Sequence, residues 1–92
     1  MTDQPAISFT AFIMSLATTA AVHFGDIADP VSGTSQPNLP AAGQMIDILS
    51  MLKDKTRGNL DAEETELVDN LLYELRMRFV EVSGGANRIV LP

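Results

Sequence analysis

The chain has a single histidine, His23, the one side chain of a type that moves protons near neutral pH. Asp26 and Asp29 follow it closely. With the neighbouring serines they would be the starting set for an oxygen-ligated divalent cation or for acid–base chemistry. The spacing argues against both. The run does not follow the Asp-x-Asp-x-Asp-Gly calcium-loop pattern, and a metal site needs several converging ligands. Aspartates in such a segment cap helices and form turns. A histidine near a helix C-terminus is favoured there by the helix dipole. Ser15, Thr18 and Thr19 carry hydroxyls, but a nucleophile needs an adjacent base and a third, orienting group. There is no Gly-x-Ser-x-Gly elbow. Ser83-Gly84-Gly85 follows a helical pattern rather than opening one, so it is no phosphate cradle. The chain has no cysteine, which removes thiolate catalysis, disulfides and cysteine-ligated metals and fits a reducing cytoplasm. No catalytic, cofactor-binding or metal-ligating residue is therefore assigned. An enzyme with His23, Asp26 and Asp29 gathered at a subunit interface is the least expected function.

The charges narrow the partners. The formal net charge is −6 over 92 residues. Nucleic acid requires a basic face, and an anionic membrane surface attracts basic segments. Here the first fifty residues hold Asp3, Asp26, Asp29 and Asp47 and no lysine or arginine. A secretory leader, which starts with a positive segment, is not expected. Lys53, Lys55 and Arg57 suit the end of a helix, where cations meet the negative end of the dipole. Together with Arg76 and Arg78, these groups read as solvated partners of Asp54, Glu74 and Glu81.

The elements that position these residues are helices. Apolar residues make up 46% of the chain and aromatics only 5%, so straight-chain and alanine residues dominate, as helices favour. Ser8 is a cap, and Phe9, Phe12, Ile13, Leu16, Ala20 and Phe24 recur at helical spacing up to Gly25. The first helix is expected over Phe9–Phe24. Residues 25–38, with Gly25, Pro30, Gly33 and Pro37, read as a long loop. Asn38 caps a second helix over about Pro40–Arg57, stopped by Gly58. Asp61 and Glu64 form a capping box for a third over about 62–82, ended by Ser83-Gly84-Gly85. The short connection at Gly58-Asn59-Leu60-Asp61 predicts that helices two and three form an antiparallel hairpin. The chain is thus expected to be one all-α domain, with a lead-in at 1–7 and a tail at 83–92. Residues Ile89-Val90-Leu91 of that tail are apolar enough to dock.

The first helix is unusual. No residue between Ser8 and Gly25 is an Asp, Glu, Lys or Arg, whereas a surface helix normally shows a charged side. So short a chain cannot easily surround such a helix, and a second chain is the natural cover. Phe9, Phe12, Ile13, Leu16, Ala17, Ala20 and Phe24 are the expected self-association residues. Met14, Met45, Met51 and Met77 suit either an adaptable partner surface or ordinary core. Membrane association through Ile7–Phe24 is the alternative. It is weakened by the hydroxyl and histidine positions and by the lack of interfacial Trp, Tyr or basic flanks.

Several segments are familiar as a set. Phe12-Ile13-Met14-Ser15-Leu16-Ala17, Ala21-Val22-His23-Phe24-Gly25 and Asp29-Pro30 come first. Asn38-Leu39, Ile46-Asp47-Ile48-Leu49-Ser50-Met51-Leu52 and Lys55-Thr56-Arg57-Gly58-Asn59-Leu60 follow, then Glu64 and Leu71-Leu72-Tyr73-Glu74-Leu75-Arg76-Met77-Arg78-Phe79-Val80. In this order they resemble the short bacterial proteins of domain of unknown function 1844, from about Ser8 to Glu81. That resemblance implies a bacterial, mostly helical protein with no established activity and no catalytic residue to carry over. The function expected is protein–protein interaction, with copies of the chain as the first partner and no small-molecule substrate.

Overall fold

A computed structural model describes residues 7–87, with side chains as far as Gly84. Three helices follow one another: α1 Phe9–Phe24, α2 Leu39–Lys55 and α3 Ala62–Asn87. No strand occurs among the described residues.

Local chemistry sets most of the helix ends. The Ser8 hydroxyl accepts a hydrogen bond from the Ala11 N–H at 3.0 Å, satisfying one orphan donor of the first turn of α1. Gly25 takes the left-handed conformation at φ +84°. Its N–H donates to the Val22 carbonyl and that of Asp26 to the Ala21 carbonyl, both at 2.9 Å, a Schellman closure. A side chain at this position would be strained by the positive φ and would meet the Pro37 ring at 3.2 Å. The connection returns to α1 through the Asn38 N–H, which donates to the His23 carbonyl at 2.6 Å. Asn38 Oδ1 then accepts from the Ala41 N–H at 3.1 Å and caps α2.

The end of α2 falls a little earlier than the sequence suggests. Thr56 closes the helix, its hydroxyl donating to the Leu52 carbonyl at 2.6 Å, and Arg57 lies in the following turn beside Gly58 at φ +87°. The capping box of α3 is complete. Asp61 Oδ1 accepts from the Glu64 N–H at 2.8 Å, and Glu64 Oε1 accepts from the Asp61 N–H at 3.0 Å.

The end of α3 corrects an expectation. The helix does not stop at Ser83-Gly84-Gly85 but runs through to Asn87. Glycine is a poor helix former by only about 1 kcal/mol relative to alanine, and that alone does not terminate a helix already propagating. The residues expected to form a tail at 83–87 are thus helical, and the Ile89-Val90-Leu91 segment lies outside the described residues. A substitution separates the two readings. A methyl group at Gly84 would meet nothing within 4 Å. Gly84→Ala is therefore expected to raise stability by about 0.5–1 kcal/mol, measured as the shift of the urea midpoint. A glycine that ended the helix with positive φ would instead make alanine destabilising.

Each helix touches the other two. The core is built from Ile13, Ala20 and Phe24 of α1, Ala42, Met45, Ile46 and Leu49 of α2, and Val68 and Leu72 of α3. Ile13, Leu49 and Val68, one from each helix, are the largest fully buried side chains. Gly43, near the start of α2, faces the Phe79 ring in the second half of α3. Lys53, near the end of α2, bridges Asp69 in the first half of α3 at 2.6 Å.

Candidate interaction surface

The fold brings some of the groups able to do chemistry together and holds others apart: Thr18, Thr19, His23 and Asp29 all border one surface cavity of about 390 Å³. His23 and Asp29 also border a surface cavity of about 610 Å³ between the end of α1 and the connection to α2, with Ser32, Thr34 and Asn38 nearby. Asp26 does not join them. Its carboxylate accepts from Arg78 through Nε at 3.0 Å and Nη2 at 2.5 Å, clasping the end of α1 to α3. Asp29 Oδ1 accepts from the Val31 N–H at 2.8 Å and holds a turn. No group of three or more His, Cys, Asp or Glu able to hold a metal ion occurs among the described residues.

The guanidinium hydrogen bond from Arg78 holds the Asp26 carboxyl below its ordinary value of 3.8, against an opposing push from partial burial. The same bond, with a second to Glu81, raises Arg78. A carboxyl depressed on folding adds stability above its unfolded pKa, and that contribution is lost as pH falls through the folded value. The wild-type chain is therefore expected to melt slightly above Asp26→Asn at about pH 7, with the gap narrowing toward about pH 2 as the carboxyl takes up its proton. An equal gap at both pH values would show that the carboxylate charge is not the cause. The effect is small because both side chains are about two-fifths exposed.

Arg78 also reaches Glu81 at 3.2 Å, and Arg57 reaches Asp54 at 2.9 Å, as the sequence suggested. The Asp26–Arg78 and Lys53–Asp69 pairs had no sequence signal. They join residues of separate elements, and charge spacing along one helix reports only neighbours three or four apart.

Three of the four hydroxyls of α1 turn inward on its own backbone. Ser15 donates to the Phe12 carbonyl at 2.7 Å, Thr18 to Met14 at 3.1 Å and Thr19 to Ser15 at 3.1 Å. Their donors are thereby used, and the outer face of α1 presents mainly methyl and methylene surface. Ala11, Phe12, Met14, Ser15, Thr18 and Thr19 are all exposed or nearly so, and none is charged. Phe12 is 47% exposed and Met14 46%.

The seven residues expected to meet a second copy divide between two environments. Ile13, Ala20 and Phe24 lie in this chain's own core, and Phe9 and Leu16 pack against it. Ala17 is half-buried, and Phe12 faces outward. The periodic stripe is thus what α2 and α3 cover, and the face of α1 left open is the one bearing Phe12 and its exposed neighbours. Among the described residues, no helix is long and apolar enough to cross a membrane.

A second apolar feature lies between α2 and α3. Gly43, Ile46, Asp47, Arg76, Phe79 and Val80 line an open groove of about 390 Å³. Beside it, Tyr73, Met77 and Val80 stand exposed at helical spacing along α3.

The sequence profile of a family described as domain of unknown function (DUF1844) matches residues 6–81. No curated protein and no solved structure matches the chain.

Proposed function

The chain belongs to the DUF1844 family, whose description assigns no function, and on that footing we propose that it is a non-catalytic protein–protein interaction module that self-associates. One observation carries this reading. The outer face of α1 is exposed and wholly uncharged, and its Ser15, Thr18 and Thr19 hydroxyls are hydrogen-bonded to the helix's own backbone. A helix face of this kind gains by exchanging water for another chain, since few polar groups lose hydration when it is covered. We take α2 and α3 as an antiparallel hairpin on which α1 is presented, a reading supported by the Gly43–Phe79 and Lys53–Asp69 contacts. The net charge of −6 favours protein over nucleic acid as partner. The separation of His23 and Asp29 from Asp26 favours association over catalysis.

The test is the solution mass by size-exclusion chromatography with light scattering over a dilution series. Multiples of the 9.9 kDa chain mass at high concentration, falling on dilution, are expected. Substitution on the outer face of α1 should lower the mass without loss of helix.

A further inference from the structure

We infer that the groove between α2 and α3 is a docking site for a second copy of this chain, arranged so that Asp47 of each copy meets Arg76 of the other. This rests on the reading that the chain self-associates and adds a contact on a different face, since none of the groove's lining residues belongs to α1.

Three features carry it. The first is an apolar groove that stays open. Val80 is 60% exposed although it is apolar and borders Phe79 and Ile46. Gly43 sits inside α2 without the positive φ that would require glycine, and a methyl there would meet Phe79 Cε2 at 3.4 Å, an ordinary contact. Alanine would thus fit and would favour the helix. Glycine instead leaves a gap of about one methyl group beside the Phe79 ring in the groove wall.

The second is the apolar stripe that continues from the groove. Tyr73 is 66% exposed and Met77 45%, and with Val80 they supply knobs for a facing helix. Groove and stripe share Val80, so one copy offers a hole and a ridge side by side. A two-fold arrangement needs this self-complementarity, because each patch must receive what it also presents.

The third is charge. The groove carries one acid, Asp47, and one base, Arg76, and neither has an ion-pair partner among the described residues. A two-fold axis passing through the groove, midway between Asp47 and Arg76, would bring each acid toward the partner's base and form two pairs per interface. A partner of uniform charge would satisfy one rim and repel the other.

The test uses the full chain and two charge reversals. Asp47→Arg alone places two bases together at each end of the interface, and Arg76→Asp alone places two acids together. Each is expected to shift the midpoint of dissociation on dilution by about tenfold or more. Mixed in equal amounts, the two variants restore both pairs in the heterodimer. The introduced arginine of one variant meets the introduced aspartate of the other, and the native Arg76 of the first meets the native Asp47 of the second. Assembly should return in the mixture, which an ion pair within one chain would not produce. Val80→Asp should weaken assembly as well, with circular dichroism confirming that helix is kept. An assembly left unchanged by all three substitutions would overturn the groove while leaving association through α1 in place. Single variants that weaken assembly without rescue on mixing would overturn the Asp47–Arg76 arrangement. A wild-type chain of 9.9 kDa at every concentration would overturn both the groove and the function proposed above.

Discussion

Truncating Leu49 to alanine is expected to cost about 3 kcal/mol, a large-to-small change at the centre of the core. Leu49 is 0% exposed on α2 and shares a core cluster with Ile13 of α1 and Val68 of α3. Alanine there leaves a cavity bordered by all three helices, and none can move to fill it without parting from another. A domain of this size holds a net stability on the order of 5–10 kcal/mol, so the loss is a large share of the whole. Met51 is the internal comparison. It lies two residues on in the same helix but is 46% exposed, and its truncation should cost well under about 1 kcal/mol. Urea unfolding followed by circular dichroism checks both. Equal costs at Leu49 and Met51 would mean that the inward face of α2 is not the one described.

The second large effect is on assembly. Met14→Glu puts a carboxylate on the outer face of α1, where no Asp, Glu, Lys or Arg stands between Ser8 and Gly25. Glutamate is a good helix former and Met14 is 46% exposed, so the fold should be retained. A charge at a face covered by another chain must be desolvated without a partner, once from each copy where the contact is two-fold. The midpoint of dissociation should rise at least about tenfold in concentration, equivalent to about 1.4 kcal/mol. Light scattering on dilution reads this shift, and unchanged circular dichroism separates it from unfolding. A mass identical to wild type at every dilution would remove the outer face of α1 from the interface.

Much of this architecture was legible in the sequence because its determinants are local. Ser8, Gly25, Asn38 and the Asp61–Glu64 pair act within three or four residues of themselves, and each closes a helix end where expected. The C-terminal end of α3 was less legible. A glycine pair is a weak local signal, and whether the helix continues depends on propagation from the turns before it. The apolar stripe of α1 shows a different limit. Periodicity identifies a face that needs cover, but it does not say whose residues supply that cover. Ile13, Ala20 and Phe24 are covered by α2 and α3, while the side bearing Phe12 and Met14 is left open. The Asp26–Arg78 clasp and the groove above Phe79 were not legible, because each arises from residues brought together only by packing. Asp26 read alone was a loop acid beside a histidine.

Association of this chain with copies of itself, the function proposed above, is read out by its solution mass. Size-exclusion chromatography with light scattering on the wild-type chain, diluted across the micromolar range, should give multiples of 9.9 kDa that fall toward one chain as concentration drops. A single mass of 9.9 kDa at every concentration would show that the chain does not self-associate.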